Sequence, residues 1–309
     1  MQRRKFLSGT ALAGASLLTG TAALATGSSK EQLAAKPFNL DYAPHAGMFR
    51  NSAGDDFLEQ IRFMHDQGFR SIEDNGMMGR DTAMQTRIGE LLAKLNMRMG
   101  VFVVDKGGNG ANTLAAGKKE HLDIFLDGCK RAVEVAKRVN AKWMTVVPGD
   151  FERNLPLGVQ TGHVIDALKR GAEIFEPHGL VMVLEPLSDS PNLFLRTSEQ
   201  TYEICRAVGS KSCKILYDAY HLQKNEGNLI HNISLTWNEI DYFQVGDNPG
   251  RKEPTTGEIN YKNVFKYIYE RSKKEGRSFV VGMEHGNSLP GKEGEQALIK
   301  AYRESDAFL

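Results

Sequence analysis

The sequence has few cysteines, no marked excess of either charge, and no repeat or low-complexity segment. Its three cysteines form no CxxC pair and have no cysteine–histidine spacing suited to zinc, so we expect them to be core residues. Lysine and arginine number 39 against 38 aspartate and glutamate, which gives a net charge of +1 at pH 7. A chain this close to neutral has no basic footprint for nucleic acid, and we expect no nucleic-acid partner.

The first 25 residues have the pattern of an export signal. Arg3 and Arg4 precede a mildly apolar run from Thr10 to Ala25, which ends in the small-residue sequence Ala-Leu-Ala. We therefore predict a twin-arginine signal peptide over residues 1–25, cleavage after it, and export to the periplasm or another exported location. The alternative is a membrane anchor, but the run is short, contains glycine and is only weakly apolar, so we expect no stable anchor after cleavage.

A polar linker at residues 26–36 is followed by short apolar runs that alternate with stretches of helical period. The predicted strands are Phe38–Ala43, Ser71–Asn75, Arg98–Val104, Lys142–Val147, Leu180–Glu185, Lys214–Asp218, Asp241–Gly246 and Phe279–Glu284. The predicted helices are Asp55–Gln67, Thr82–Leu95, His121–Val139, Thr161–Glu176, Ser198–Val208, Asn228–Asn238, Asn260–Lys274 and Gly294–Glu304.

Eight strand–helix units in roughly 250 residues are typical of a (β/α)₈ TIM barrel. We predict this α/β fold as a single domain over residues 37–309. A doubly wound open sheet is the other architecture compatible with the alternation. That fold normally carries a glycine-rich phosphate turn after its first strand, whereas His45-Ala-Gly-Met-Phe49 follows the first strand here.

Four successive predicted strands end in side chains that offer oxygen to a hard cation. They are Glu185, Asp218, Gln244 and Glu284. Because the carboxyl ends of barrel strands meet at one face, these side chains should converge. A single polar residue at a strand end is unremarkable, but buried carboxylates are rare unless they are paired or bound to metal. Three carboxylates and an amide suit Mg²⁺ or Mn²⁺ better than Zn²⁺, so we predict a divalent metal site, with Mg or Mn favoured.

Two further residues are candidates for contact with substrate. His221 follows the sixth strand and is placed to hydrogen-bond a substrate oxygen, although a lone histidine is often structural. Arg251 lies in the loop after the seventh strand and is able to bind a carboxylate or a pair of hydroxyls; the alternative is a solvated loop charge. We expect its neighbours Lys252 and Glu253 to be solvated.

The segments around these residues carry a family likeness. They are Pro177-His-Gly, Glu185-Pro-Leu-Ser, Asp218-Ala-Tyr-His221-Leu-Gln-Lys-Asn-Glu-Gly-Asn-Leu, Gln244-Val-Gly-Asp-Asn-Pro-Gly-Arg251-Lys-Glu-Pro and Thr256-Gly-Glu-Ile-Asn-Tyr261. Together they resemble hydroxypyruvate isomerases, which belong to the xylose isomerase-like barrel superfamily of sugar isomerases and epimerases. The likeness is strong from Glu173 to Glu284 and weaker from Asp41 to Val147.

The resemblance implies a role for each candidate residue. It implies a divalent metal on Glu185, Asp218, Gln244 and Glu284, with Glu185 and Glu284 also serving as the catalytic acid/base pair. It implies contact with substrate by His221 and Arg251, and a reaction that shifts a carbonyl along a carbon chain through an enediolate. The implied substrate is a small sugar, keto-sugar or hydroxy-keto acid.

Two features separate this chain from the family pattern and leave its substrate open. His285-Gly-Asn follows the last glutamate in place of an aromatic residue and a lysine, and the export signal is unexpected for an enzyme of intracellular metabolism.

An isomerase or 3-epimerase is the first hypothesis for the function. A keto-sugar or inosose dehydratase or lyase on the same metal site, and a non-catalytic sugar-binding barrel, are the alternatives. The oligomeric state is not predicted.

Overall fold

The computed structural model describes residues 35–309, and the predicted signal peptide lies outside this range. Its strands are β1 Asp41–Pro44, β2 Ser71–Ile72, β3 Arg98–Met99, β4 Phe102–Val103, β5 Trp143–Val146, β6 Val181–Leu184, β7 Cys213–Asp218, β8 Ile240–Val245 and β9 Val280–Met283. Its α-helices are α1 Arg50–Ala53, α2 Phe57–Asp66, α3 Thr82–Lys94, α4 Lys119–Val139, α5 Leu157–Phe175, α6 Ser198–Val208, α7 Ala219–Asn225, α8 Leu229–Thr236, α9 Tyr261–Glu275 and α10 Gly291–Asp306.

The strands form a parallel barrel, so the predicted fold is confirmed. Strands β4, β5, β6, β7, β8, β9 and β1 are hydrogen-bonded in that order, and β2 pairs with β3. Single parallel bridges join His45 to Glu73 and Met99 to Ala141, which links β2 and β3 to their neighbours and closes the ring. The helices predicted from the sequence are all present; seven lie between successive strands of the chain and the eighth, α10, follows β9.

The third predicted strand, Arg98–Val104, is divided into β3 and β4 at Gly100 and Val101. A side chain on Gly100 would place its Cβ 2.3 Å from the hydroxyl oxygen of Tyr242, which extends across the barrel interior. The Val101 backbone N–H donates to that hydroxyl over 3.4 Å. The interruption therefore makes room for a buried phenol, a requirement that local periodicity does not reveal.

Two layers of apolar side chains build the core. The inner layer fills the barrel below its carboxyl-terminal edge and comprises Ala43, Val101, Trp143, Val181, Val183, Leu216, Tyr242 and Val280. The outer layer packs helices against strands. Cys129, Cys205 and Cys213 are all buried and unbonded, as the sequence predicts for core cysteines. Within residues 35–309, no helix is long and apolar enough to span a membrane.

Strand register places the polar strand ends at one level. Asp218 on β7 is the direct register partner of Gln244 on β8. Glu185 and Glu284 follow the last residues of β6 and β9, and their backbone N–H groups donate to the neighbouring strands at Val146 and Val245. All four side chains therefore start from the carboxyl-terminal edge of adjacent strands, as predicted.

Asp306 anchors the start of β1 to the end of α10. Its carboxylate accepts hydrogen bonds from the Asn39 N–H at 2.7 Å, the Leu40 N–H at 3.3 Å and the Tyr42 hydroxyl at 3.0 Å. Replacing Asp306 with Ala leaves these donors without an acceptor, so the free energy of unfolding should fall by about 2–3 kcal/mol in urea denaturation. Glu304→Ala, which removes an exposed carboxylate on the same helix, should change it by less than about 0.5 kcal/mol.

Candidate active site

The four predicted oxygen donors converge at the mouth of the barrel. Glu185, Asp218 and Gln244 are buried, and the Glu284 side chain is 22% exposed. Because the strand order is β9, β8, β7, β6, the two glutamates lie on either side of the Asp218–Gln244 pair. The structure thus brings together the residues predicted as metal ligands.

Each of these four side chains has one buried oxygen without a hydrogen-bond donor. Among residues 35–309, no partner is found for Glu185 Oε1, Asp218 Oδ2, Gln244 Oε1 or Glu284 Oε2. Arg251 Nη2 lies 3.1 Å from Glu284 Oε2, so this carboxylate has an ion-pair partner, although the geometry is not that of a hydrogen bond. Burial of unpartnered oxygen is costly, and a divalent cation is a partner that hard oxygen donors accept.

The same cluster includes His221, which is fully buried. Its Nδ1 receives the Ser188 backbone N–H at 3.2 Å and lies 2.8 Å from the Ser188 hydroxyl. A neutral imidazole that accepts at Nδ1 carries its proton on Nε2. Nε2 lies 3.7 Å from Asp218 Oδ2 and 3.9 Å from Glu185 Oε1. Glu185, Asp218 and His221 are close enough to share a metal, but the Ser188 N–H at Nδ1 favours the tautomer in which Nε2 is a donor and not a ligand atom.

Arg251 extends over the acidic cluster. Its Nη2 contacts Glu284 and also lies 3.1 Å from His221 Nε2, so one of these two donors must turn away from the other. Its Nε donates to the Glu284 carbonyl at 3.2 Å, and the guanidinium lies 5.0 Å above the Tyr220 ring. Burial lowers the pKa of Arg251, but the carboxylates of Glu284, Asp218 and Glu185 outweigh it and the net pKa is raised. Arg251 is held at the site and is not a solvated loop charge.

Glu73 is a site residue that our sequence analysis missed. Its fully buried carboxylate accepts a short hydrogen bond from Gln244 Nε2 and a 3.0 Å bond from the Tyr242 hydroxyl. Because a carboxylate accepts from the amide nitrogen only, this contact turns Gln244 Oε1 toward the cluster. The pattern of acids near strand ends could have identified Glu73, because it lies in the second predicted strand near the same end as the other acids.

The backbone leaves space for this second layer of hydrogen bonds. Gly282 on β9 lies opposite Gln244, and a Cβ at this position would be 1.7 Å from Glu73 Oε2. Gly100 provides the corresponding space for the Tyr242 hydroxyl. The orientation of the Gln244 amide therefore depends on the absence of two side chains on other strands.

A cleft of about 630 Å³ opens beside Glu284 and Arg251. It is lined by His45, Ala46, Gly47, Met48, Asn51, Asn75, Arg251, Glu284, His285, Gly286, Asn287, Leu289, Pro290 and Gly291. Asn75 donates from Nδ2 to Glu284 Oε1 at 2.8 Å, which leaves its oxygen directed elsewhere. Sequence analysis also missed Asn75, although it ends the second predicted strand.

The loop after β8 is built on the buried carboxylate of Asp247. It accepts hydrogen bonds from the backbone N–H groups of Asn248 at 2.9 Å, Gly257 at 2.8 Å and Ile259 at 3.0 Å. Glu253, which we expected to be solvated, is instead buried and accepts the Ser288 backbone N–H at 2.8 Å. That prediction was wrong because Glu253 ties this loop to the loop after β9.

His285, at the position where the sequence analysis expected an aromatic residue from the family resemblance, belongs to the wall of the cleft. Its ring is stacked on Tyr302, and its Nε2 lies 2.9 Å from the Tyr302 hydroxyl. Burial lowers the pKa of His285 to about 4, so the ring is neutral at physiological pH. His285 therefore packs against Tyr302 at the cleft and adds no cation to it.

The surroundings of Glu185 and Glu284 disfavour the charged form of both carboxyl groups. Burial, followed by the charges of Glu284 and Asp218, raises the pKa of Glu185 well above its ordinary value. Burial likewise raises the pKa of Glu284 to about 7, although Arg251 acts in the opposite direction. Closely spaced acids of this kind are found where a cation or a proton-transfer reaction uses them.

The chain matches the model of the family described as xylose isomerase-like TIM barrel over residues 61–305. It belongs to this family. The resemblance seen in the sequence is thus confirmed, and the match covers most of the described barrel. The contacts described above at the barrel mouth were found in the structure of this chain, and the family match by itself does not describe them.

The curated proteins similar to this chain include proteins named hydroxypyruvate isomerase and 2-oxo-tetronate isomerase. The hydroxypyruvate isomerase of Escherichia coli (strain K12) is 31% identical over 146 residues, which are 47% of this chain and 57% of that protein. The 2-oxo-tetronate isomerase of Pectobacterium atrosepticum is 30% identical over 212 residues, or 68% of this chain and 80% of that protein. A crystal structure of AP endonuclease, family 2, from Brucella melitensis has a TM-score of 0.70 at 20% identity, covering 82% of this chain and 96% of that chain, which is a likeness of fold.

The raised pKa of Glu284 predicts a pH-dependent difference between wild type and Glu284→Gln. A carboxyl with a folded pKa of about 7 and an ordinary value of 4.5 stabilises the fold at low pH and loses that contribution as pH rises between those values. In EDTA, the variant should therefore gain about 2–3 kcal/mol in free energy of unfolding relative to wild type from about pH 4.5 to about pH 8. Histidines with lowered pKa act in the opposite direction in both proteins and cancel. A pH-independent difference in urea denaturation would contradict the assignment.

Proposed function

We propose that this protein is a metal-dependent isomerase or epimerase that moves a proton between carbons of a small keto-sugar or hydroxy-keto acid. The observation that carries the proposal is the convergence at the barrel mouth of four buried oxygens that have no hydrogen-bond donor among residues 35–309, one each from Glu185, Asp218, Gln244 and Glu284. The isomerase relatives at about 30% identity support the same reaction class. The cleft beside Glu284 provides room for a small substrate.

In this proposal, Glu185 and Glu284 transfer the proton. A C–H bond beside a carbonyl is weakly acidic, and a carboxylate removes its proton to give an enediolate. Returning the proton to the neighbouring carbon, while the hydroxyl proton moves to the former carbonyl oxygen, gives aldose–ketose isomerisation. Returning a proton to the opposite face of the same carbon gives epimerisation. The two glutamates follow strands on either side of β7 and β8, so they approach a substrate from two sides.

The four oxygens would hold the cation. When bound, it would supply electrostatic stabilisation of negative charge that develops on the substrate oxygens. A site of three carboxylates and one amide, without a thiolate or imidazole ligand, favours Mg²⁺ or Mn²⁺. Glu73 would maintain that donor set, because it holds the Gln244 amide with its oxygen facing the carboxylates.

His221 and Arg251 would orient the substrate. The Nε2–H of His221 is directed at the space beside Glu185 and Asp218, and burial lowers the pKa of the ring, so it serves as a neutral hydrogen-bond donor. Arg251 offers N–H groups at the edge of the cleft while its charge offsets that of Glu284.

The excess of carboxylates at this mouth favours a small molecule over nucleic acid as substrate. Export through the twin-arginine signal at residues 1–25 also remains a prediction.

Exchange of substrate hydrogen with solvent tests the proton carriers. In D₂O with Mn²⁺, wild type should incorporate deuterium next to the carbonyl of a ketose or hydroxy-keto acid without elimination. Glu185→Gln and Glu284→Gln should each slow this exchange by about 10²–10⁴-fold, the usual contribution of a positioned acid or base. The reaction is followed by proton NMR, and EDTA should abolish it in wild type.

Glu258→Gln is the matched control, because Glu258 is exposed and, within residues 35–309, its carboxylate accepts a single hydrogen bond, from Gln223 Nε2 at 3.3 Å. It should exchange at the wild-type rate. Full exchange by Glu284→Gln with metal still bound would overturn the acid/base assignment, and exchange unaffected by EDTA would overturn the metal. Elimination in place of deuterium incorporation would identify a lyase.

Manganese affinity tests the role of Glu73. Glu73→Gln presents an amide to Gln244 and permits the Gln244 oxygen to turn away, so Mn²⁺ should bind about 10–100-fold more weakly. Tyr242→Phe removes the other hydrogen bond to Glu73 and leaves the Gln244 contact, so it should have a smaller effect. Affinity is read from the free Mn²⁺ signal in electron paramagnetic resonance. Equal affinity in wild type and Glu73→Gln would contradict the role.

A further inference from the structure

Asp189 is a carboxylate at the barrel mouth that the proposed mechanism does not use. It lies in the loop between β6 and α6, its side chain is half exposed, and it makes no side-chain hydrogen bond within residues 35–309. Its Oδ1 lies 3.9 Å from Arg251 Nη1 and 3.9 Å from His221 Nδ1. Since His221 Nδ1 is already bonded to Ser188, the free neighbour of Asp189 is the outer nitrogen of Arg251.

Arg251 and Asp189 together form a donor–acceptor pair. One oxygen atom can lie within hydrogen-bond distance of both Nη1 and Oδ1, because these atoms are 3.9 Å apart. A hydroxyl group satisfies both, since it accepts from the guanidinium and donates to the carboxylate. A substrate carboxylate has no hydrogen to donate and would meet the negative charge of Asp189 at short range.

The other terminal nitrogen of Arg251, Nη2, is also close to carboxylates of the protein and is not available to bind an anion. Arg251 Nη2 lies 3.1 Å from Glu284 Oε2 and 3.8 Å from Asp218 Oδ2, so the positive charge of Arg251 is shared among carboxylates of the protein. A bound divalent cation and Arg251 would together supply three positive charges against the four carboxylates of Glu185, Asp218, Glu284 and Asp189, so the cluster would keep a net negative charge. An anionic substrate would add a further negative charge to this cluster.

The adjoining cleft also favours a substrate with hydroxyl groups. Asn75 Oδ1 and His45 Nε2 are buried atoms without hydrogen-bond partners among the described residues, and both side chains line the cleft. The bond from Asn75 Nδ2 to Glu284 makes the Asn75 oxygen the acceptor that faces elsewhere. At about 630 Å³ the cleft has room for more than a three-carbon acid, within the usual range of about 300–1,000 Å³ for ligand pockets.

Lys252 is the competing feature, because it is a cation close to the cleft. Its Nζ lies 3.0 Å from the position that a Cβ would take at Gly286 in the cleft wall, and it forms no ion pair within residues 35–309. If the natural substrate were an acid, Lys252 would be the residue that binds its carboxylate. It is therefore included in the test.

We propose that the site selects an uncharged polyhydroxylated ketone, such as a ketose or keto-sugar, over a 2-oxo acid, and that Asp189 is the specificity residue. This inference rests on the proposed function and departs from the acid substrates named for the curated isomerase relatives. Asp189 acts by accepting a hydrogen bond from a substrate hydroxyl and by repelling a carboxylate at the same position.

Two substrate pairs that differ only by carboxylate against hydroxymethyl test the selection. They are hydroxypyruvate with dihydroxyacetone, and 2-oxo-tetronate with erythrulose. Deuterium exchange by the full chain loaded with Mn²⁺ should give a kcat/KM at least about tenfold higher for the neutral member of each pair. Asp189→Asn should shift this ratio about tenfold toward the acid, because it removes the charge and keeps the side-chain shape.

Two control variants separate the possible outcomes. Glu258→Gln removes an exposed carboxylate elsewhere on the same face and should leave the ratio unchanged, and so should Lys252→Met. Preference of wild type for the acids, an unchanged ratio in Asp189→Asn, or selective loss of the acids in Lys252→Met would each overturn the proposal while the isomerase function stands. Absence of exchange with both members of both pairs would instead refute the proposed function, and the inference with it.

Discussion

Four buried oxygens that lack a donor are the constraint on which the rest of the site depends. They belong to Glu185, Asp218, Gln244 and Glu284. Three of these residues are acids, and their burial, followed by the repulsion among them, raises the pKa of both glutamates. A divalent cation relieves the repulsion and supplies the missing partner at once. The proposed proton transfer needs the same carboxylates, so one arrangement would serve both the proposed metal and the proposed reaction.

The barrel supports this arrangement through residues that never reach the cation position. Glu73 fixes the Gln244 amide, Tyr242 holds Glu73, and Gly100 and Gly282 leave the space that both require. These contacts join four different strands. The lower part of the barrel interior is therefore a packed apolar core, and the upper part is a hydrogen-bonded support for the site. A methyl group at either glycine would disturb the core and the support.

Much of the fold and of the candidate site was predictable from the sequence. Hydrophobic periodicity indicates where the strands end, and a barrel places the carboxyl ends of its strands at one face. The positions of Glu185, Asp218, Gln244 and Glu284 required nothing more, although their binding of metal remains a prediction. Glu73 and Asn75 lie in the second predicted strand and were overlooked, whereas Asp189 was not recognised because its importance depends on which loops meet above the barrel. The expectation that Glu253 is solvated failed for the same reason, since its partner Ser288 lies in another loop.

The most direct test is to locate manganese in crystals of the full chain by anomalous scattering. Our account predicts a single strong peak at the barrel mouth, ligated by oxygens of Glu185, Asp218, Gln244 and Glu284, with Gln244 still bonded to Glu73. His221 should lie outside the ligand set, with its Nδ1 on Ser188. A peak elsewhere, or one in which His221 replaces Gln244 as a ligand, would contradict the central claim.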